Sequence, residues 1–198
     1  MKNTDFDEIL NDIPDKITIN GEPLYRNTTS KKFKLDVINF FNKEEFKNKN
    51  AIEIGVYGGH STLILSKLFN HVHAIDIRPI SSDIKSLWKK YNSNNITYHQ
   101  RDVYKNGLPD VESDIFFIDA VHTYHAVAED IYNSLKLKSI DKKYFIYDDY
   151  GAFPEIKKCI DDHCNFEKIK ILKFIGYKPG DKFLRKLYDY EGLICLEL

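Results

Sequence analysis

Short apolar runs alternate with longer amphipathic stretches along most of the chain, and this alternation most limits the fold. The runs "AIEIG", "HVHAIDI", "ITYHQ", "DIFFID" and "YFIYDD" have the length of strands, and the segments between them have helical spacing. Strands that alternate with helices form a mostly parallel sheet, and nearly continuous apolar strands indicate helices on both of its faces. The last two runs, "FEKIKILKF" and "GLICLEL", have no helix between them. We therefore predict an α/β fold with seven strands and a C-terminal antiparallel hairpin.

The N-terminal part of the chain differs from the rest. Residues 1–29 are polar and contain proline and glycine breakers, so we predict an arm with little regular structure. Ser30 suits the N-cap of a helix from about residue 31 to residue 47. Residues 30–198 have the size of one domain, and we predict a single domain over that range.

Composition excludes several classes of partner. The chain has 29 basic and 30 acidic residues, so no overall field favours nucleic acid or an anionic membrane. No apolar run approaches the roughly 20 residues of a membrane span, and the first residues lack the apolar core of a signal peptide. The three cysteines form no CxxC pair or disulfide framework. We expect a cytoplasmic protein with reduced thiols and with no nucleic-acid or membrane partner.

The ends of the first three strands carry residues suited to a ligand, because open α/β sheets bind ligands there. An E-x-G-x-x-G-G turn runs from Glu53 to Gly59. Its glycines let the backbone approach a ligand, and its acid suits a positively charged amine better than a pyrophosphate. The turn could also be an ordinary strand-to-helix connection. Asp76, 21 residues after Gly55, is placed to accept hydrogen bonds from a ribose diol. Asp102 could meet an adenine amino group, cap a short turn or lie in a loop.

The ends of the fourth and fifth strands carry acids. Asp119 ends "DIFFID", and Asp148 and Asp149 follow the apolar run in "YFIYDDYG". Consecutive strand residues point to opposite faces, so both members of the pair can contact one ligand only if the strand has already ended. Otherwise one of them has a structural role. A solvated pair in a loop is the simpler alternative.

Taken together, the segments "EIGVYGGHST", "AIDI", "RDV", "IFFIDAVHTYHAVAEDI" and "YFIYDDYG" resemble the class I S-adenosylmethionine-dependent methyltransferases. More narrowly, they resemble the small O-methyltransferases that include macrolide-sugar and other glycan methyltransferases. In that family a strand ending "FIDG-H-Y" is followed by a helix and a strand ending "DDY". The resemblance covers about residues 51–151, and Ala120 stands where the family commonly has glycine. It implies a Rossmann-like, doubly wound sheet.

The resemblance also implies a cofactor site for S-adenosylmethionine. The glycine-rich turn would line the methionine part of the cofactor, Asp76 would hold the ribose, and Asp102 would lie near the adenine. The cofactor-binding residues are then Glu53, Gly55, Gly58, Gly59, Ser61, Asp76 and Asp102.

A divalent metal site follows from the same resemblance. In the family strand order the fourth and fifth strands are neighbours, about 4.8 Å apart, so Asp119, Asp148 and Asp149 converge. Their mutual repulsion should raise at least one pKa, and a hard cation relieves it. Oxygen ligands suit Mg²⁺ first, with Mn²⁺ or Ca²⁺ as alternatives, and they disfavour Zn²⁺.

Methyl transfer to oxygen needs an acceptor whose proton is removed. A metal lowers the pKa of the acceptor hydroxyl, and a general base takes the proton. His122 lies at the family position of that base, three residues after Asp119, and we predict both as catalytic residues. His125 is the second choice, about one helical turn away.

We therefore expect an S-adenosylmethionine-dependent O-methyltransferase that acts on a sugar hydroxyl of a glycan or glycoconjugate. The narrower resemblance indicates sugars, and the short chain has no inserted cap to enclose a small molecule. A catechol-like phenol is the nearest alternative acceptor. A non-catalytic S-adenosylmethionine-binding module and an NAD-dependent oxidoreductase are further alternatives, and the glycine spacing disfavours the oxidoreductase. The first helix could cover the sheet or form a homodimer.

Overall fold

The computed structural model describes residues 4–12, 17–19, 22–24, 29–166, 169–181 and 187–198. Its helices are α1 (Thr4–Asp12), α2 (Lys31–Phe41), α3 (His60–Leu68), α4 (Ser82–Lys90), α5 (Val103–Asn106), α6 (Tyr124–Lys136) and α7 (Pro154–Phe166). Its strands are β1 (Ile17–Ile19), β2 (Glu22–Leu24), β3 (Asn50–Ile54), β4 (His71–Asp76), β5 (Ile96–Gln100), β6 (Ile115–Ile118), β7 (Tyr144–Tyr147), β8 (Ile169–Ile175) and β9 (Gly192–Glu197).

The main sheet has seven strands in the order β5-β4-β3-β6-β7-β9-β8. Strands β3 to β7 are mutually parallel, and β9 runs antiparallel to both β7 and β8. The predicted fold class and the C-terminal antiparallel hairpin are confirmed. Because β6 and β7 are neighbours, the acids that follow them lie at the same edge of the sheet.

Each face of the sheet is covered by its own set of helices. Neighbouring residues of a strand point to opposite faces, so Phe117 packs with helices α1 to α4 and Phe116 packs with helices α5 to α7. Strands buried on both sides explain why the sequence reads as continuous apolar runs rather than as alternating ones.

The N-terminal arm is more ordered than predicted. The prediction of little regular structure in residues 1–29 is wrong for α1 and for the two-stranded sheet of β1 and β2. Phe6, Ile9 and Leu10 of α1 are buried in the same core as α2 to α4. Their i, i+3, i+4 spacing is the helical signal that the polar composition obscured.

Helix α2 begins where the sequence predicts and ends earlier. The Ser30 hydroxyl accepts a hydrogen bond from the Phe33 amide at 3.0 Å, as an N-cap does. The helix ends at Phe41, and a 3-10 turn over Glu44–Phe46 then brings the buried Phe46 against Phe41. The apolar pattern therefore extends beyond the helix itself.

A carboxylate holds the start of α2 on the sheet. The amide and hydroxyl of Ser30 both donate to Glu191, at 2.7 and 2.6 Å, and the Tyr177 amide donates to it at 3.1 Å. Glu191 directly precedes β9, so these bonds join the N-terminal helix to the C-terminal hairpin. Among the described helices, none is long and apolar enough to cross a bilayer.

Candidate active site at the carboxyl ends of the strands

A cleft of about 390 Å³ opens where β3, β4, β5 and β6 end. Five of the predicted site residues line it: Gly55, Asp76, Asp102, Asp119 and His122. Gly55 has φ +94°, and a Cβ there would lie 1.9 Å from the Asp119 carbonyl oxygen. Only glycine allows the turn after β3 to pass so close to the end of β6.

Asp76 is tightly held at one side of the cleft. Its carboxylate accepts hydrogen bonds from the Val56 and Tyr57 amides, each at 3.1 Å. The Arg78 side chain donates to the same carboxylate at 3.0 and 2.7 Å and lies over the Tyr57 ring. Burial acts to raise the pKa of Asp76, but the hydrogen bonds from Arg78 and Tyr57 lower it to about 2. A ribose hydroxyl would compete with Arg78 for these oxygens.

Asp102 takes one of the three roles left open for it. It is the N-cap of α5 and accepts a hydrogen bond from the Tyr104 amide at 3.2 Å. It also lines the cleft, and its contact with an adenine amino group stays a prediction.

Gly58, Gly59 and Ser61 do not line the cleft, whereas Tyr57 of the same turn does. Gly59 is the N-cap of α3, and its carbonyl accepts a hydrogen bond from the Trp88 indole at 2.9 Å. A Cβ on Gly58 would meet the His60 ring at 3.2 Å, and the Ser61 hydroxyl pairs with Thr29 at 3.1 Å. Gly59 and Ser61 therefore join α3 to neighbouring parts of the chain, and the cofactor contact of all three residues stays a prediction.

Glu53 is fully buried beneath the turn. One carboxylate oxygen accepts a hydrogen bond from the Thr62 hydroxyl, and the other, Oε1, has no hydrogen-bond partner among the described residues. Burial raises the pKa of Glu53 well above its usual value. An unpaired buried oxygen of this kind suits a positively charged group.

Asp119, His122 and Asp149 form a cluster at the end of the cleft that lies by β6 and β7. His122 Nε2 lies 3.1 Å from Asp149 Oδ2 and 3.7 Å from Asp119 Oδ1. One ligand atom of each residue lies within 4.8 Å of the others, a spacing that could hold a metal ion. Burial raises the pKa of Asp119 to about 6, while contact with His122 opposes the rise.

The backbone after β7 separates the two adjacent aspartates. The strand ends at Tyr147, and Asp149 has φ +57°, which turns its carboxylate toward His122. Asp148 remains buried, and its Oδ1 finds no hydrogen-bond partner in the described part of the chain. Burial, followed by the charges of Asp149 and Asp119, raises the pKa of Asp148 well above its usual value. The convergent set contains His122 where three aspartates were predicted.

Comparison with known proteins agrees with this fold. Residues 52–150, half of the chain, match the family model described as a methyltransferase domain. The chain belongs to this methyltransferase-domain family. The matched range runs from β3 through the Asp148–Asp149 pair, so it contains the whole cleft and the cluster. No curated protein sequence matches the chain.

Solved structures with the same fold are distant in sequence from this methyltransferase domain. The SAH-bound methyltransferase PaMTH1 of Podospora anserina has a TM-score of 0.64 and 15% identity, covering 98% of this chain and 86% of that one. The precorrin-6y C5,15-methyltransferase of Geobacter metallireducens has a TM-score of 0.61 and 13% identity, covering 93% and 95%. The tRNA (m1A58) methyltransferase TrmI of Aquifex aeolicus has a TM-score of 0.59 and 16% identity, covering 94% and 81%. At such identities the likeness shows the class I methyltransferase fold alone.

A buried lysine compensates part of the negative charge in this methyltransferase. Lys34 of α2 is 2% exposed, and its ammonium donates to the carbonyl and the hydroxyl of Thr29. Burial lowers the pKa of Lys34 to about 8, although the charges of Asp148 and Glu191 act against this. Lys34 is not among the site residues predicted from the sequence. The signal was present, because Lys34 falls on the helical stripe that continues with Val37, Ile38 and Phe41.

A second, wider cleft of about 470 Å³ lies beyond the cluster. It is lined by Tyr150, Gly151, Phe153, Pro154, Lys157, Lys158, Asp161, Asp162 and Tyr188. The Phe153 ring packs against the His122 ring at 4.7 Å, so the two clefts meet at His122.

Proposed function

We propose that this methyltransferase transfers a methyl group from S-adenosylmethionine to a hydroxyl of a sugar in a glycan or glycoconjugate. The observation that carries the proposal is the convergence of Asp119, His122 and Asp149 at the junction of the two clefts. An acid–imidazole cluster at that place can remove a proton from an oxygen nucleophile.

The first cleft fits S-adenosylmethionine. Asp76 and Asp102 line it and offer carboxylates for a ribose and an adenine amino group. The unpaired oxygen of Glu53 suits the amine of the methionine part, but Glu53 is fully buried beneath the lining, so the turn above it would have to move. Arg78 would have to release Asp76 for the ribose to bind. When bound, the cofactor supplies an electrophilic methyl group on its sulfonium.

His122 is the base in this proposal. Its Nε2 lies 3.1 Å from Asp149, which orients the ring and stabilises the imidazolium that forms when a proton is taken up. Asp119 is the second acid in contact with the same ring. His125 was the alternative base, but the metal-binding geometry includes His122 and not His125.

The cluster also fits a divalent cation. Asp119 and Asp149 would hold it through carboxylate oxygens, which suits Mg²⁺, Mn²⁺ or Ca²⁺. If His122 also binds the cation, imidazole shifts the preference toward transition metals, and His122 then cannot serve as the base. When bound, a cation supplies positive charge that lowers the pKa of the acceptor hydroxyl.

The second cleft favours a sugar acceptor. Phe153 and Tyr188 provide aromatic surface, and Lys157 and Asp161 provide hydrogen-bonding groups beside it. The Tyr150 ring is buried beneath the Lys157 ammonium. Aromatic faces flanked by charged groups suit a sugar ring, which is apolar on its faces and carries hydroxyls on its edge. A catechol-like phenol fits the aromatic surface equally well but makes less use of the charged groups.

The test is a methyl-transfer assay with S-adenosylmethionine carrying a labelled methyl group. The acceptors are free sugars, glycans, catechols and transfer RNA, each with Mg²⁺, Mn²⁺ or EDTA. Label in a glycan that is lost in EDTA and in His122→Ala supports the proposal. His71→Ala serves as the control, because His71 begins β4 and lies at the opposite end of the strands from the cleft. Label in RNA or in a phenol alone would overturn the sugar assignment. Turnover that persists in EDTA would show that the reaction needs no metal.

A further inference from the structure

Two cysteines outside the proposed active site lie in contact with each other. The Sγ atoms of Cys164, in the last turns of α7, and Cys195, in β9, are 4.0 Å apart. Both are free thiols, as is Cys159, the third cysteine of the chain. Cys195 is completely buried and Cys164 is half-buried, so an oxidant can reach one member of the pair from solvent.

We propose that Cys164 and Cys195 form a redox modification site, which a hydroperoxide converts to an intramolecular disulfide that ties α7 to β9. Cys164 is the thiol that the oxidant attacks, and Cys195 is the thiol that resolves the product. This proposal does not depend on the methyl-transfer reaction.

The chemistry needs only the two thiols and the hydroperoxide. The Cys164 thiolate attacks one peroxide oxygen, the O–O bond breaks, and the leaving oxygen departs as water or an alcohol after taking a proton. Cys164 is then a sulfenic acid. The Cys195 sulfur attacks the Cys164 sulfur, the S–O bond breaks, and the hydroxide leaves as water with the Cys195 proton. Two thiols lose two electrons and two protons, and the hydroperoxide takes up both.

The environments of the cysteines assign these roles. The hydrogen bond with Cys195 lowers the pKa of Cys164, which favours the reactive thiolate. Burial raises the pKa of Cys159 to about 11. Of the two thiols on α7, Cys159 is therefore the less reactive toward an oxidant. A disulfide needs the sulfurs about 2.05 Å apart, so the two Sγ atoms would have to close from 4.0 Å.

The surroundings of the pair contain one further polar group. The Tyr147 hydroxyl lies close to the cysteines and is buried without a hydrogen-bond partner among the described residues. Closing the disulfide therefore breaks no hydrogen bond to that tyrosine. The bond would join the C-terminal part of α7 to β9, two residues beyond Asp162, which lines the second cleft.

The test treats the reduced full-length protein with hydrogen peroxide and measures thiols and intact mass. The expected product has one titratable thiol in place of three, has lost the mass of two hydrogen atoms, and returns to the start on reduction. Cleavage before Asp161 and Asp162 separates Cys159 from Cys164, so peptide mapping identifies the partners. A Cys164 peptide linked to the C-terminal Cys195 peptide supports the proposal.

Two variants complete the test. Cys164→Ser should slow the loss of thiols at least about tenfold, because the accessible thiolate is gone. Cys159→Ser is the matched control on the same helix and should form the bond at the normal rate. Three remaining thiols, a sulfinic acid on Cys164, or a bond that includes Cys159 or a second chain would each overturn the proposal. If a variant does not fold, peptide mapping of the wild-type protein alone decides the proposal.

Discussion

Two acidic regions lie at the same edge of the sheet and have opposite electrostatics. At the end of β4, Asp76 receives hydrogen bonds from two amides and from Arg78, and its pKa falls to about 2. At the ends of β6 and β7, burial raises the pKa of Asp119 to about 6 and that of Asp148 well above its usual value. The first region is compensated by the protein itself, and the second is short of positive charge.

The difference indicates what each region can bind. A compensated carboxylate can exchange one of its hydrogen-bond donors, here the Arg78 guanidinium, for a ribose hydroxyl. An uncompensated group of acids gains most from a proton or a cation, because Coulomb energies are large where water is excluded. Lys34 supplies one buried positive charge to this second region, and four acids act on it: Asp148, Glu191, Asp119 and Glu53.

The largest expected effect comes from Asp119→Asn, which keeps the size of the side chain and removes its charge. If Asp119 supports His122 and a cation, methyl transfer should fall about 10³-fold, within the usual range for proton-transfer catalysis. Labelled methyl transfer to the best acceptor measures the effect. Asp110→Asn makes the same change at an exposed position and should leave turnover unaltered. Turnover within threefold of wild type in Asp119→Asn would contradict the role of the cluster.

The pH dependence of stability separates the two regions. The folded pKa of Asp119 is raised, so its contribution to stability is complete below about pH 4 and is lost as the pH rises through about 6. Asp76 behaves oppositely, and its contribution is lost only as the pH falls toward 2. In EDTA, the titration of Asp119 should lower the free energy of unfolding by roughly 2–3 kcal/mol between pH 4 and pH 7. Denaturant unfolding at several pH values measures this.

Comparison with Asp119→Asn and addition of Mn²⁺ assign this pH dependence to Asp119. Burial raises the pKa of Asp130 to about 7, which adds a slope of the same sign, so the difference between wild type and Asp119→Asn is the informative quantity. Lys34 titrates above this window. Mn²⁺ at 100 times its Kd should restore about 2.7 kcal/mol at pH 7. Equal slopes in both proteins, or no stabilisation by any divalent cation, would show that the second region needs no added charge.

The sequence predicted the strands well because their positions and burial follow from local patterns. The apolar runs, the Ser30 cap and the final hairpin each have a signal within a few residues. Helix α1 was missed because three apolar residues, Phe6, Ile9 and Leu10, occur among many polar ones. Helix α1 is ordered because it packs against helices that are distant in sequence, and composition alone does not reveal that packing.

The site was only partly predictable for a related reason. The positions of Asp76, Asp102, Asp119 and His122 follow from strand ends, and the structure brings all four to one cleft. The convergent set contains Asp149 and His122 but not Asp148, and this depends on one backbone angle, the positive φ of Asp149. The sequence left that question open, because Gly151 allows a turn without fixing where it begins. Lys34 reaches the acids from a helix more than eighty residues earlier in the chain.

A smaller effect is expected from Lys34→Met, which removes the internal cation of the second region. With less compensation, the cluster should bind a divalent cation about tenfold more tightly, or about 1.4 kcal/mol. Calorimetric titration with Mn²⁺ measures this, and circular dichroism checks the fold. Lys85→Met removes the same charge from an exposed site on α4 and should leave the affinity unchanged. Weaker binding in Lys34→Met would mean that the lysine positions the ligands rather than competing with the cation.

The smallest effect tests whether the first region is compensated at the expense of the cofactor. Arg78 donates twice from its side chain to Asp76, which also accepts from the Val56, Tyr57 and Arg78 amides. A carboxylate offers about four acceptor sites, so a ribose diol can bind Asp76 only when the guanidinium moves away.

Arg78→Gln removes this competition and keeps the backbone donors. The Kd of S-adenosylmethionine should therefore fall by a factor of about two to five, less than 1 kcal/mol, because the Arg78 side chain of the lost ion pair is half open to solvent. In the Asp76→Asn background the same change should have no effect, since the amide no longer attracts the guanidinium. Weaker binding in Arg78→Gln alone would show that the guanidinium contacts the cofactor directly, and the first region would then be a composite acid–base site rather than a self-compensated one.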